Sequence, residues 1–226
     1  NLGLPIIGLG MRTEEYADLP LQWMPHIQVA DVARSAARAV EGGGRELMHH
    51  RDDQGESQWA VLMDPFGAAF GIIPVVPDEH IPPVPSASHE GDAEHGAGTK
   101  DPAVGSIRWV DLTVADAAAA RDFYARVIGW RPEELAMGEG SDRYADYLLR
   151  GASGDARAGV CHARGANAGL PSVWLLYLPV GDLDESLERV GAEGGRILHE
   201  QRGKDGALRY AVIEDPVGAA VALVPG

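Results

Sequence analysis

Cys161 and His162 are adjacent and would supply a nucleophile and a base. Neighbours in a strand point to opposite faces, so the pair is poorly placed to share a proton. His89, Glu90, Asp92, Glu94 and His95 offer nitrogen and oxygen donors, but in a Pro-, Ser- and Gly-rich tract that reads as solvated chain with no scaffold for a metal. His49-His50 reads as an exposed strand end, and Glu133, Glu134, Glu139 and Asp142 as a charged loop beside a cleft. The chain has no Gly-rich phosphate loop and no G-x-S-x-G elbow. Alternating strands are more informative. Ile107–Val114 sets Trp109, Asp111 and Thr113 on one face and Val110, Leu112 and Val114 on the other. The same parity groups Leu175, Tyr177 and Pro179, and again Met24, His26 and Gln28. Ala220 and Ala222 opposite leave room, so the shared face reads as an aromatic, roomy pocket with one acid. The competing role for Trp109 is to plug the cleft as core.

Those strands belong to an internal repeat. Trp59-Ala-Val-Leu-Met-Asp-Pro-Phe-Gly-Ala-Ala-Phe returns as Tyr210-Ala-Val-Ile-Glu-Asp-Pro-Val-Gly-Ala-Ala-Val, an offset of 151 residues. The same offset carries Pro20 onto Pro171, Trp23 onto Trp174, Asp31 onto Asp182 and Gly43-Gly44-Arg45 onto Gly194-Gly195-Arg196. Each copy runs through a strand (Trp23–Val29; Trp174–Val180), an Asp that caps a helix, and a Gly stop. Two strands follow, joined by the tight Asp-Pro-x-Gly turn. A third unit lies between the copies: Ile107–Val114, a helix over Ala117–Val127 capped by Asp116, a Gly129-Trp130 stop, and strands Tyr144–Leu149 and Ala156–Cys161. The pattern predicts an α+β fold of tandem βαβββ units.

The chain has 226 residues, a formal charge of −15 and 45% hydrophobic residues, enough for one or two domains with real cores. The acidic excess repels phosphate backbones and anionic lipid, so neither nucleic acid nor a membrane is an expected partner. No stretch approaches the roughly 18 apolar residues of a membrane span. No signal peptide is expected, and a single cysteine excludes an internal disulfide framework, as suits a reducing cytoplasmic interior.

WVDLTVADAAAARDFYARVIGW, with its Asp-capped helix, Phe-Tyr pair and Gly-Trp stop, resembles the opening unit of a vicinal oxygen chelate domain. This is the glyoxalase, bleomycin-resistance and extradiol-dioxygenase superfamily. The two DPxGA turns, the GGR stretches and the V-x-D strand ends resemble its closing unit, and two-domain bacterial glyoxalase-like proteins match best. The resemblance implies curved, mostly antiparallel mixed sheets around a cleft, with a divalent metal held by His and Glu on the first and last strands of each unit. Carried over, the first-strand positions are Trp109, Leu175 and Met24, and the closing-unit last-strand positions are Ala222 and Gly71. In the unit ending near Cys161, only His162 could substitute. No mapped position carries His or Glu, so no metal of the family type and no other cofactor is expected.

The expected organisation is a partial domain over 1–76, a linker over 77–105, and a complete domain over 106–226 with units 106–161 and 162–226. Asn1–Arg12 reads as a buried strand (Leu2, Leu4, Ile6, Ile7, Leu9), and Ile6–Gly10 corresponds to the end of a preceding unit. Leu21, Trp23, Ile27, Val29, Ile72 and Ile73 would leave residues 1–76 with an apolar face that needs a cover. An opening unit upstream is the expected cover, and a second chain in a homodimer is the alternative. The function this implies is a metal-free binding protein for an aromatic or cationic natural product. Trp109, Asp111, Thr113, Trp174, Leu175, Tyr177, Met24 and His26 would contact the small-molecule ligand. The alternative is a lyase, isomerase or hydroxylase-type enzyme using Asp111 or His162 as proton carrier, or an unrecognised metal site.

Overall fold

Asp31, Asp116 and Asp182 each convert a strand end into a helix start. Their carboxylates accept the backbone N–H of Arg34, Ala119 and Glu185 at 2.8, 2.9 and 2.9 Å, satisfying a donor that has no partner inside the helix. The helices that follow are α1 (Val32–Glu41), α2 (Ala117–Ile128) and α3 (Leu183–Ala192). α2 stops at Gly129, whose left-handed φ of 86° lets its N–H reach the Ala125 carbonyl at 3.1 Å. The computed structural model describes residues 7–77 and 104–226.

Around the helices lie β1 (His26–Val29), β2 (Arg45–Arg51), β3 (Ser57–Met63), β4 (Ala69–Pro74), β5 (Trp109–Val114), β6 (Arg131–Met137), β7 (Tyr144–Arg150), β8 (Ala156–His162), β9 (Trp174–Val180), β10 (Arg196–Arg202), β11 (Leu208–Glu214) and β12 (Ala220–Pro225). Each unit repeats one topology: β1-β4-β3-β2, β5-β8-β7-β6 and β9-β12-β11-β10, with the first pair parallel and the others antiparallel. The fold is therefore mixed α+β, built of βαβββ units.

Contacts divide the chain into two compact units. One joins Asp18–Val75 to Val110–Leu175, and the other centres on Leu176–Gly226. In the first, a single core runs from Ile27, Val29, Ala39, Phe70 and Ile72 through Phe123, Tyr124 and Val127 to Trp174. The rings of Phe70, Phe123, Tyr124 and Trp174 meet edge to face at 5.0–6.2 Å, each such pair adding about 0.5–1.5 kcal/mol beyond burial. In the second, Leu176, Leu183, Leu187, Val212, Ile213 and Val221 form a smaller buried set.

Several expectations change. Ile27, Val29 and Ile72 do not form an uncovered face, because they are buried in the core that also holds α2; Leu21 is exposed, and Trp23 and Ile73 are half-buried. Residues 7–12 form no strand, with Leu9 88% and Met11 83% exposed; Leu2, Leu4 and Ile6 lie outside the described residues. So do His89, Glu90, Asp92, Glu94, His95 and most of the 77–105 linker. Glu133 and Glu134 stand in β6 rather than in a loop, and His49-His50 lies within β2. Among the described residues, no helix is long and apolar enough to cross a membrane.

Candidate functional site

β5, β8 and β7 alternate as the sequence dictates. Leu112, Val114, Ala158, Val160, Tyr147 and Leu149 enter the core beneath α2, which leaves Asp111, Thr113, Cys161 and Asp146 for the opposite face. Register places Asp111 beside Gly159 and Thr113 beside Cys161. Asp146 is only 3% exposed. A buried carboxylate needs donors, and His162 supplies two: its backbone N–H at 2.8 Å and its ring Nδ1 at 3.2 Å, both to Oδ1. Tyr144 meets the His162 ring edge-on at 5.6 Å, and the Arg164 guanidinium lies 4.5 Å over Tyr144. Cys161 is thus neighbour to an Asp–His pair but takes no hydrogen bond from it.

Burial pushes the Cys161 thiol well above its ordinary range, and the charges of Asp111 and Asp146 push it further. Thiolate is the reactive form. Iodoacetamide at pH 8 is therefore expected to label Cys161 at least about a hundredfold more slowly in the native chain than in urea. Comparable rates would place the thiol in open solvent.

Leu176–Gly226 and the residues just before β5 carry a second, aromatic face. The Arg108 N–H donates to the Tyr177 carbonyl at 2.9 Å, setting the half-buried Trp109 alongside β9. Tyr177 pairs in register with Ala222. The Tyr177 and Tyr210 rings stand 5.7 Å apart, and Tyr210 is followed by His199 at 5.7 Å. His199 Nε2 is buried with no hydrogen-bond partner among the described residues.

The donor chemistry does not fit the family's metal. Trp109, Leu175, Met24, Ala222 and Gly71 offer no imidazole or carboxylate. His26 does not repair the set, because its ring lies directly on Gly71, where an added Cβ would stand 2.4 Å from Cδ2. Among the described residues, no three His, Cys, Asp or Glu side chains converge to hold a metal ion.

Trp174 is corrected as a ligand contact. It is fully buried in the core, and its Nε1 donates to the Tyr124 hydroxyl at 2.9 Å. Leu175 and Thr113 are also buried, at 0% and 2% exposure, whereas Asp111 and Tyr177 are half-buried. Sequence reasoning missed Asp146, Tyr210 and His199. Asp146 alternates with the core residues Ala145 and Tyr147 in a strand whose parity went unread, and nothing local announces its burial.

A profile of the Glyoxalase/Bleomycin resistance protein/Dioxygenase superfamily matches residues 106–223. "Putative glyoxylase CFP32" of Mycobacterium bovis is 34% identical over 119 residues, which cover 53% of this chain and 45% of that protein. Anthracycline biosynthesis protein DnrV of Streptomyces peucetius is 26% identical over 206 residues, covering 91% of this chain and 66% of that one. The chain thus spans about half to two thirds of the length of these relatives. Among solved structures, 2,2',3-trihydroxybiphenyl 1,2-dioxygenase from Sphingomonas wittichii RW1 aligns over 91% of this chain and 71% of that one, at 16% identity and a TM-score of 0.45.

Proposed function

The chain belongs to the Glyoxalase/Bleomycin resistance protein/Dioxygenase superfamily, and on that premise we propose that it is a metal-free binding protein for a planar aromatic, preferably cationic, small molecule. The supporting observation is substitution at the ligand positions: aromatic and apolar side chains stand where the family's metal donors would be. Trp109, Tyr177 and Tyr210 supply stacking surface, and His199 Nε2 supplies a buried hydrogen-bonding atom. The charge of −15 draws cations toward the site. The name of the relative DnrV, an anthracycline biosynthesis protein, supports the aromatic class.

The test is titration with a cationic anthracycline, followed by tryptophan quenching and thermal melting. Binding should be saturable and indifferent to EDTA. At a hundred times Kd, linkage adds about 2.7 kcal/mol, which raises Tm by roughly 5–10 °C. Truncating both Trp109 and Tyr177 to Ala should weaken binding by at least about thirtyfold, since each buried aromatic contributes of the order of 1.5–3 kcal/mol. Absence of binding, or loss of binding on chelation, would remove the proposal.

A second reading is favoured by the His162–Asp146 pair. A carboxylate that fixes an imidazole's orientation makes it a candidate general base. Under that reading His162→Gln abolishes turnover of the bound compound and leaves its affinity unchanged.

A further inference from the structure

We propose that Glu46, His49 and Ser57 form a serine relay that hydrolyses small, non-anionic carboxylic esters. These residues share nothing with the aromatic face around Tyr177, so the two readings stand or fall separately.

β2 and β3 assemble the relay through two irregularities in their pairing. Glu46 and His49 are three residues apart and would point to opposite faces of a regular strand. A register shift between Glu46 and Met48 sets them beside Leu62 and Ala60, both residues of the core that also holds α1. A second shift, between His50 and Arg51, pairs Arg51 with Ser57. The four side chains then meet. His49 Nδ1 lies 2.8 Å from Glu46 Oε2, His49 Nε2 lies 2.8 Å from Ser57 Oγ, and Arg51 Nη1 donates to Ser57 Oγ at 2.9 Å.

Those partners fix where the protons go. A carboxylate only accepts and a guanidinium only donates. In the neutral imidazole Nδ1 therefore carries the hydrogen and donates to Glu46, which leaves Nε2 to accept from the Ser57 hydroxyl. Ser57 Oγ in turn accepts from Arg51. Arg51 Nη2 also stands 3.3 Å from His49 Nδ1, a contact between two donors. The His49 side chain is only 5% exposed, so water competes little for these bonds. Nucleophile, base and orienting carboxylate follow one another as an acyl-transfer site requires.

The hydroxyl opens onto space. Ser57 is half-buried and lines a groove of about 250 Å³ with Glu56, Pro74 and the entry to α1 at Ala30, Val32 and Ala33. Val32 and Ala33 begin that helix, and their N–H groups have no acceptor within it, so the groove wall offers donors to a carbonyl oxygen that becomes anionic. The alanines, Val32 and Pro74 suit a short acyl chain, and the Glu56 carboxylate disfavours an anionic substrate.

The second copy shows that the fold does not need the relay. β10 and β11 repeat both register shifts, yet the 151-residue offset carries Glu46, His49, Arg51 and Ser57 onto Ile197, Glu200, Arg202 and Leu208. The geometry is common to both copies, and the chemistry belongs to the first.

In the reaction Ser57 Oγ bonds to the ester carbonyl carbon while its proton passes to His49 Nε2. The tetrahedral adduct collapses by breaking the bond to the alcohol oxygen, which leaves with that proton, and Ser57 remains acylated. Water repeats the two steps, releasing the acid and restoring Ser57. Ester and water are the only reactants consumed.

The test uses a fluorophosphonate, whose phosphorus takes Ser57 Oγ and loses fluoride, followed by intact mass and peptide mapping of the 226-residue chain. Turnover of p-nitrophenyl acetate is measured alongside. Expected is about one phosphonate per chain, at Ser57, with none in urea. Ser57→Ala abolishes labelling and turnover, and His49→Gln slows both at least about a hundredfold. Glu46 acts through His49 as a positioning residue. Glu46→Gln therefore slows labelling at least about tenfold without lowering its final extent, and Glu46→Asp recovers part of the rate. Each variant is checked for an unchanged melting curve, and the labelling of the native chain decides the matter where a variant melts early. Labelling no faster than in urea, labelling at a residue other than Ser57, or full-rate labelling of a folded His49→Gln variant overturns the proposal.

Discussion

Replacing Tyr124 by Phe is expected to destabilise the chain by about 2–4 kcal/mol, although it removes a single oxygen. The hydroxyl is fully buried, donates to Asp64 Oδ2 at 2.9 Å and accepts from Trp174 Nε1 at 2.9 Å. Phe keeps the ring contacts with Phe70, Phe123 and Trp174, so packing is nearly unchanged. Two buried polar groups are left unmatched, each costing about 1–3 kcal/mol. Burial, and then the charge of Asp64, hold the Tyr124 hydroxyl far above its ordinary pKa, so it remains a neutral donor across the working pH range. Tm should fall by roughly 5–15 °C, with a matching drop in the urea midpoint. A loss under about 1 kcal/mol would show that the bridge contributes no more than an exposed hydrogen bond.

That bridge explains how far the sequence could be read. The local grammar was visible because its signals are short-range: an Asp cap three residues from its acceptor, a Gly stop, a DPxG turn. Those signals placed β9 at the observed Trp174–Val180 and α2 within one residue of its end at Ile128, whereas β1 begins at His26 rather than at Trp23. β2, β6 and β10 were harder, because RELMHHR, RPEELAM and RILHEQR are polar edge strands with little alternation. Edges are kept charged to discourage further pairing, which removes the hydrophobic pattern by which strands are recognised. The site divided in the same way. Strand parity put Trp109, Asp111 and Tyr177 off the core, but Trp174 is drawn inward by a hydroxyl 50 positions earlier, and Asp146 by the backbone of His162. Partners so distant in sequence leave no local mark.

Asp64→Ala and Asp215→Ala delete the same carboxylate from two copies of one turn, and their losses should differ by about 2 kcal/mol or more. Asp64 is 4% exposed and holds three hydrogen bonds, from Phe66 N–H, Ala68 N–H and the Tyr124 hydroxyl. Its loss is expected to be about 3–5 kcal/mol, because one substitution strands three donors in the core. Asp215 is half-exposed and serves two N–H groups that water can reach, so its loss is about 1 kcal/mol. The loss at Asp64 also depends on pH. Burial raises the Asp64 pKa above 3.8 despite the hydrogen bonds that pull it down. The folded state therefore binds this proton more tightly than the unfolded chain. That share of stability is present below the ordinary value of 3.8 and is lost as pH rises through the elevated folded value. The deficit of Asp64→Ala should accordingly be larger near pH 4 than at pH 7. Urea titrations of both variants at the two pH values measure the difference directly. Equal losses at pH 7 would mean that docking α2 onto the first copy adds nothing to what the turn achieves alone.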